Sequence, residues 1–233
     1  MILLDAVGTI IFPSPSVASA YQAAGRLAGI NLDETTIRHR FREAIRRYSV
    51  QSFQTERGQS EPARTNETTE RLRWQAIVQH VLSPPADRFE EVFDCLWNHF
   101  GQPENWQPFD DVSPALAILQ SAGFQLGIAS NFDSRLRPIV ERYLGSFDLQ
   151  LFISSEVGWV KPAPAFYQTV QSQVGIPVDQ LFLIGDDLEN DVVAPKREGW
   201  QAAYLSRKQE ASAARPSGEF ASLLEFAKAI SQA

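Results

Sequence analysis

The chain is poor in the residues that form disulfides and zinc sites. Its 233 residues include one cysteine, Cys95, and three histidines, His39, His80 and His99. One cysteine cannot form an internal disulfide, and these four residues do not stand at the spacing of zinc ligands. The composition therefore argues against a disulfide scaffold and indicates a reducing, cytoplasmic compartment.

Long apolar runs and excess positive charge are also missing. Asp5 and Pro13 interrupt the apolar N-terminal segment, and no other segment has the length and apolarity of a membrane span, so we expect neither a signal peptide nor a membrane partner. The net charge is −7. Residues 14–100 balance 11 Arg against 11 Asp and Glu, so the acidic excess belongs to the rest of the chain. Such a surface repels phosphate backbones, and we expect no nucleic-acid partner.

Short apolar segments alternate with helical patterns along most of the chain. The predicted strands are 2–5, 124–129, 149–153, 181–185 and 201–205. The predicted helices are 113–122, 134–143, 163–174, 188–198 and 219–230. This alternation is typical of right-handed βαβ units and predicts the α/β class, with a Rossmann-like, doubly wound parallel sheet covered by helices on both faces.

One long segment near the N-terminus departs from that alternation. Residues 14–100 show helical periodicity and no convincing strand, with a polar stretch at 54–66 that we expect to be a loop. A second polar loop is expected at 211–218. The simplest organisation is a helical cap domain, residues 14–104, inserted into a core domain made of residues 1–13 and 105–233.

Polar residues follow the predicted strands at the ends where open parallel sheets bind ligands. They are, in chain order, Asp5, Ser130 with Asn131, Lys161, and Asp186 with Asp191. A carboxylate that attacks a phosphoryl group needs a hard divalent cation to offset the repulsion between their charges. Mg²⁺ prefers oxygen ligands, which Asp5 and Asp186 could supply, while Ser130 and Lys161 could bind the phosphate. The set predicts metal-assisted phosphoryl transfer.

The same segments, in the same order, resemble the four motifs of the haloacid dehalogenase superfamily, in its subfamily with a helical cap inserted after the first strand. The stretches that carry the resemblance are 4–9 (Leu-Asp-Ala-Val-Gly-Thr), 157–162 (Val-Gly-Trp-Val-Lys-Pro) and 184–192 (Ile-Gly-Asp-Asp-Leu-Glu-Asn-Asp-Val). The resemblance covers nearly the whole sheet domain, and the cap by its position and helicity.

The resemblance implies a hydrolase that acts on a small phosphorylated metabolite through an aspartyl-phosphate on Asp5, with Ser130 and Lys161 assisting. It implies a substrate site formed by Gly8, Thr9, Ser130, Asn131 and Lys161. It implies a Mg²⁺ site formed by Asp5, the backbone carbonyl of Val7, Asp186 and, as a more distant partner, Asp191. The oligomeric state stays open.

Val7 stands where the phosphatases of this superfamily carry a second carboxylate, which protonates the leaving oxygen and then activates water. Loss of such assistance typically costs about 10²–10⁴ in rate, or roughly 3–5 kcal/mol of barrier. Metal binding should survive, because the implied contact uses the main chain of residue 7.

Other members of the superfamily work without that acid. Dehalogenases carry an aromatic residue there and lack an acidic fourth motif, unlike this chain. Phosphonate-cleaving members use a cap lysine, whereas the first lysine here is Lys161. We therefore expect a Mg²⁺-dependent phosphatase of low or selective activity, with a binding or regulatory protein as the alternative and halide displacement from a 2-haloacid as a third possibility.

Overall fold

The first strand of the chain lies inside a six-stranded parallel sheet in the computed structural model, which describes residues 1–207 and 218–232. The strands in chain order are β1 (Ile2–Leu4), β2 (Ile11–Pro13), β3 (Trp106–Pro108), β4 (Leu126–Ser130), β5 (Leu149–Ile153), β6 (Phe182–Gly185), β7 (Gln201–Leu205) and β8 (Glu219–Phe220). Their order in the sheet is β5-β4-β1-β6-β7-β8, and each neighbouring pair is parallel. From β1, the chain adds β4 and β5 on one side of the sheet and β6 and β7 on the other. Connections that leave in opposite directions open a crevice at the carboxyl ends of β1, β4 and β6.

Eleven α-helices in the described part of the chain connect and cover the strands, and the first four begin at polar side chains that accept hydrogen bonds from free backbone N–H groups. They are α1 (Val17–Leu27), α2 (Glu34–Arg47), α3 (Val50–Glu56), α4 (Glu67–Leu82), α5 (Phe89–His99), α6 (Val112–Ser121), α7 (Leu136–Leu144), α8 (Ser154–Val157), α9 (Pro164–Val174), α10 (Ala194–Arg197) and α11 (Leu223–Ile230). Ser16, Asp33, Ser49 and Asn66 cap α1 to α4 through side-chain oxygens. Such caps are typically worth about 1 kcal/mol each.

The two faces of the sheet bury different side chains because strand residues alternate in direction. Ile2 and Leu4 of β1 pack in a core with α6, α7 and α11. Leu3 points to the opposite face, into a core formed largely by α9 together with Leu183 and Trp200. Helices therefore cover both faces, and the predicted Rossmann-like, doubly wound α/β fold is confirmed.

Helices α1 to α5 all lie between β2 and β3 in the chain. Because β2 and β3 pair with each other in an antiparallel ribbon, the chain leaves the sheet and returns to it at neighbouring points. Four of these helices, α1, α2, α4 and α5, enclose a core of their own around Tyr21, Ile37, Ile77 and Phe93. We call residues 14–104 the cap below; its limits, and those of the core segments 1–13 and 105–233, stay predictions.

Three local predictions are wrong in detail. The expected loop at 54–66 begins later, because α3 buries Val50 and Phe53 and continues to Glu56. The segment expected as a helix at 188–198 is helical, but Glu189–Val193 form a π-helix, and the α-helical part is only the short α10. The expected helix at 219–230 starts only at α11, because Glu219–Phe220 pair with β7 as β8.

Two further expectations concern the second polar loop and membrane-spanning segments. The polar loop expected at 211–218 lies, up to residue 217, outside the described residues. Across residues 1–207 and 218–232, no helix combines the length and the apolarity that crossing a membrane requires.

The core around α6 predicts a clear difference between two leucine substitutions. Leu116 is 1% exposed, whereas Leu27 is 47% exposed. Leu116→Ala should lower the free energy of unfolding by about 2–5 kcal/mol, because it removes buried methyl groups and leaves a cavity. Leu27→Ala should stay within about 0.5 kcal/mol of wild type. Urea unfolding followed by circular dichroism measures both, and equal shifts would contradict the assignment of Leu116 to the core.

Candidate active site

Loops from three neighbouring strands converge at the carboxyl edge of the sheet. Asp5 follows β1 directly, and its backbone N–H donates to the carbonyl of Ile184 on β6 at 2.9 Å. Ser130 is the last residue of β4, and Gly185 is the last residue of β6. Parallel pairing thus brings residues that are distant in sequence to one edge, as the sequence predicts.

Lys161 lies at the centre of this edge and is 3% exposed. Its Nζ donates to Asp5 Oδ1 at 2.8 Å, to Asp191 Oδ1 at 2.6 Å and to the carbonyl of Ala129 at 2.7 Å. An ammonium group has three protons, so all of its donors are used. Lys161 therefore fixes Asp5 and Asp191 relative to each other and to β4.

Asn131 holds the main chain of that lysine. Its Oδ1 accepts from the Lys161 N–H, and its Nδ2 donates to the Lys161 carbonyl, both at 2.8 Å. The amide is therefore already engaged in positioning Lys161, and the role of Asn131 in substrate binding stays a prediction. Ser130, beside it, is 2% exposed, and its hydroxyl makes no hydrogen bond to any residue that the structure describes.

Three carboxylates form one acidic group around the lysine. Asp5, Asp186 and Asp191 each offer an oxygen, and these oxygens lie within 4.8 Å of one another. Thr9 Oγ1 donates to Asp186 Oδ1 at 3.2 Å, and the Asp187 N–H donates to Asp191 Oδ2 at 3.1 Å. Asp191 is buried while Asp186 reaches solvent, so the group can be approached from the side of Asp186.

Two glycines make room for these carboxylates. Gly8 has φ +90°, and a Cβ at this position would collide with the carboxylate of Asp186. A Cβ at Gly185 would collide with the carboxylate of Asp191. The predicted contribution of Gly8 to substrate binding stays untested, but its conformation and the space beside Asp186 account for glycine there.

The charges at this edge do not balance. Desolvation and then the negative charge of Asp5 raise the pKa of Asp186. Burial also raises the pKa of Asp191, against the opposing charge of Lys161. Burial alone would lower the pKa of Lys161, but the carboxylates of Asp191 and Asp5 outweigh it and hold that pKa above its ordinary value. Three carboxylates and one ammonium leave a formal charge of −2, which a divalent cation would neutralise.

Val7 presents no acid to this site. Its side chain is 37% exposed and lines a cavity that also reaches Lys161 and Asn131. The backbone of residue 7 forms an isolated bridge with Ile11, so the loop after Asp5 folds back on itself. Val7 therefore lies in the wall of the cavity that also reaches Lys161.

The cap is connected to the core next to Lys161. The carbonyl of Ala63 accepts from the Val160 N–H, and the Thr65 N–H donates to the Gly158 carbonyl, both at 3.1 Å. Glu67, in the first turn of α4, accepts from the hydroxyls of Ser134 and Ser155. These contacts could not be predicted from the sequence, because an acidic residue in a first helical turn is common without any tertiary partner.

A cavity of about 500 Å³ lies between the cap and this edge. It extends from Val7 and Lys161 to aromatic side chains of the cap helices and neighbouring residues. These are Tyr21, Phe41, Trp74, Phe93, Trp97 and Phe100. Sequence reasoning missed this cavity, although the regular spacing of apolar residues in the cap helices is the signal that places such side chains on one face.

The parallel sheet, the acidic group and the buried lysine define a hydrolase-type site with the features of the resemblance noted above. Residues 1–199 match the model of the haloacid dehalogenase-like hydrolases, and the chain belongs to this family. The predicted family is thereby confirmed.

Relatives and solved structures agree with that assignment. A haloacid dehalogenase-like hydrolase domain-containing protein 3 from Danio rerio is 25% identical over 213 residues, which cover 89% of this chain and 85% of that protein. A defluorinating L-2-haloacid dehalogenase superposes with a TM-score of 0.75 at 18% identity, over 100% of this chain and 94% of the other. A phosphatase of the same superfamily from Thermococcus onnurineus superposes with a TM-score of 0.64 at 21% identity, over 98% of this chain and 96% of the other. At these identities the two structures show the fold alone.

The crowding of carboxylates predicts an unusual pH dependence in metal-free protein. Because the pKa of Asp186 is raised by folding, its ionised form costs stability above that pKa, and the cost vanishes below the unfolded value of about 4. In EDTA, Asp186→Asn should therefore be more stable than wild type at pH 8, and the difference should close as the pH falls toward 4. Thermal unfolding at several pH values measures this difference.

The matched control is Asp148→Asn, which removes an exposed carboxylate outside the site. It should not reproduce the pH-dependent gain. A gain for Asp186→Asn that grows toward acid pH would show that the charge of Asp186 does not oppose folding.

Proposed function

We propose that this chain is a Mg²⁺-dependent phosphatase that hydrolyses a small phosphorylated metabolite through an aspartyl-phosphate on Asp5. The observation that supports it most is the convergence of Asp5, Asp186 and Asp191 at one edge, where the buried Lys161 pairs with Asp5 and Asp191. The family membership supports a hydrolase. The choice of phosphoryl transfer rests on the residues of the site.

The donor set fits a hard divalent cation. Carboxylate and carbonyl oxygens are what Mg²⁺ prefers, and the formal charge of −2 at this edge favours a double positive charge. Asp5, the main-chain carbonyl of Val7 and Asp186 would hold the ion, with Asp191 behind them. When bound, Mg²⁺ would offset the negative charge of the phosphate oxygens.

Asp5 is the proposed nucleophile. One of its carboxylate oxygens attacks phosphorus, the bond between phosphorus and the ester oxygen breaks, and that oxygen leaves with the electron pair. Water then cleaves the aspartyl-phosphate, which releases inorganic phosphate and restores the carboxylate. Lys161 keeps Asp5 in place through its 2.8 Å contact with Oδ1, and the unpartnered hydroxyl of Ser130 is available to a phosphate oxygen.

Halide displacement has less support from the site, although dehalogenases are among the structures with the same fold. That reaction needs no cation, whereas this chain gathers three carboxylates that repel one another. Chloride release from a 2-haloacid in metal-free buffer would favour displacement over the proposed phosphatase.

Val7 motivates one alternative function, a binding or regulatory protein that holds a phosphorylated ligand without turnover. The side chain at this position cannot donate or accept a proton, so both steps of hydrolysis lose their acid or base. Nucleophile, lysine and acidic group would still bind a phosphate together with a cation.

The proposed nucleophile predicts the first activity experiment. Wild type should release phosphate from p-nitrophenyl phosphate when Mg²⁺ is added and should stop in EDTA. Asp5→Asn should abolish this release, because an amide oxygen is a poor nucleophile, while a Mg²⁺-induced rise in melting temperature shows that the variant still folds and binds the ion. Activity equal to wild type in Asp5→Asn would exclude Asp5 as the nucleophile.

Position 7 predicts a gain of function. Val7→Asp should raise the hydrolysis of an alkyl phosphate by about 10²–10⁴, because it restores proton transfer to a leaving alkoxide. Asparagine has nearly the same shape as aspartate but cannot transfer a proton, so Val7→Asn should give no gain. Steady-state kinetics on both variants measure the effect. If wild type shows only traces on a broad panel of phosphates, the binding role is favoured; robust wild-type turnover on any one of them eliminates it.

A further inference from the structure

The cavity above Asp5 carries information about the part of the ligand that is not phosphate. Its volume of about 500 Å³ is in the range of small-molecule sites, and it begins at Val7 and Lys161, beside the proposed nucleophile. Most of its wall is apolar or aromatic. A group attached to a phosphate at Asp5 would extend into this space.

Two arginines line the cavity, and the first is paired with a carboxylate of the protein. Arg73 donates through Nε and Nη2 to Glu70 Oε2 at 3.0 and 2.7 Å, and through Nη1 to the carbonyl of Tyr48 at 3.3 Å. Glu70 is 2% exposed and also accepts from the hydroxyl of Thr65. The charge of Arg73 is therefore neutralised by a buried carboxylate and is not free for an anionic ligand.

The second arginine is paired in the same way. Arg135 donates through Nε and Nη2 to the two carboxylate oxygens of Asp133, both at 2.7 Å, and through Nη1 to the carbonyl of Trp97 at 2.9 Å. Its guanidinium also lies 3.4 Å from the centre of the Trp97 ring. Neither arginine offers an unpaired charge, and Asp133 is 1% exposed.

The cavity therefore selects against a charged or strongly polar group. Among the described residues that line it, the only other charged one is Lys161, which is committed to Asp5 and Asp191, and the polar ones are neutral. A charged group would lose its hydration in this space, which is costly, and the positive charges that line it are already paired with carboxylates of the protein. An uncharged ring would gain contacts with aromatic walls.

Val7 adds an independent requirement. Without an acid at position 7, the ester oxygen leaves as an anion, so the alcohol must be acidic enough to bear the charge. A phenol has a pKa of about 10, as tyrosine shows, whereas an alkanol is a far weaker acid, close to water. The missing acid and the apolar cavity thus point to the same leaving group.

We propose that the substrate class of this site is a monoaryl phosphate, the phosphate ester of an uncharged phenol whose ring lies in the cavity. The assignment rests on the proposed phosphatase function. The bond that breaks joins phosphorus to the phenolic oxygen, which leaves as phenolate with the electron pair and takes a proton from water.

Three phosphate esters separate the two requirements. Phenyl phosphate has an apolar body and an acidic phenol, benzyl phosphate has an apolar body and an alkoxide leaving group, and glycerol 2-phosphate is polar with an alkoxide. Wild type should show similar KM values for the two aromatic esters and about 10²–10⁴ lower kcat for benzyl phosphate, and Val7→Asp should restore much of that kcat. Glycerol 2-phosphate should have the highest KM. A kcat/KM for glycerol 2-phosphate equal to that for phenyl phosphate would overturn the assignment.

A pair of cap variants tests the cavity itself. Ile45 lines it, and Leu72 does not; both side chains are 36% exposed, so each should tolerate a charge without unfolding the cap. Ile45→Glu should raise the KM for phenyl phosphate by about tenfold or more, because a carboxylate in an apolar wall disfavours the ring. Leu72→Glu should leave it unchanged. Inhibition by inorganic phosphate should be the same in both variants, and an unchanged KM in Ile45→Glu would contradict the placement of the ring.

Failure of the two proposals can be told apart. If no ester is hydrolysed in a Mg²⁺- and Asp5-dependent way, the proposed phosphatase is wrong. The cavity assignment is then decided by calorimetric binding of phenylphosphonate, which cannot be hydrolysed and which should bind more weakly to Ile45→Glu than to Leu72→Glu. If hydrolysis occurs but prefers glycerol 2-phosphate, the phosphatase stands and the aryl assignment falls.

Discussion

A single buried ammonium group holds this site together. Lys161 Nζ contacts Asp5, Asp191 and the end of β4 at the same time, so it joins three loops that the sheet brings to one edge. Without that charge, the buried carboxylate of Asp191 and the partly buried carboxylate of Asp5 would lose their common partner. Removing one partner of a buried ion pair typically costs about 3–5 kcal/mol. The geometry of the proposed nucleophile therefore depends on a residue 156 positions away in the chain. The hydrogen bonds from Asn131 fix the main chain that carries this lysine.

The site and the cavity above it treat charge in opposite ways. The sheet edge holds three carboxylates and one ammonium, and the imbalance favours a cation and, with it, a phosphate. Around the cavity, Glu70 of the cap pairs with Arg73, and Asp133 of the core pairs with Arg135, so both arginine charges are neutralised by protein carboxylates. A ligand with a charged head and a neutral body matches both regions. Neither region alone distinguishes such a ligand from a simple anion or a simple apolar molecule.

The fold and the residues at the sheet edge could be predicted because both follow from order along the chain. Alternating strands and helices force a parallel sheet, and parallel strands place their carboxyl ends together, so Asp5, Lys161 and Asp186 had to approach one another. The cavity could not be predicted in this way. Tyr21, Trp74 and Phe93 come from three different helices, and which faces meet depends on packing angles that periodicity does not determine. Short elements such as β8 could not be predicted either, because two residues are too few to show the alternation of apolar and polar side chains that indicates a strand.

Val7 has a different meaning once its surroundings are considered. In the sequence, Val7 is notable because it stands where related phosphatases carry an acid. In the structure, its side chain is part of the wall of an apolar cavity. A carboxylate at this position would be desolvated by a bound ring and repelled by the acidic group below it, so it would assist proton transfer and oppose ligand binding together. On the proposed function, valine resolves this conflict in favour of binding. Because the protein then supplies no proton, the leaving group must be stable as an anion. One apolar side chain thus restricts the choice of substrate.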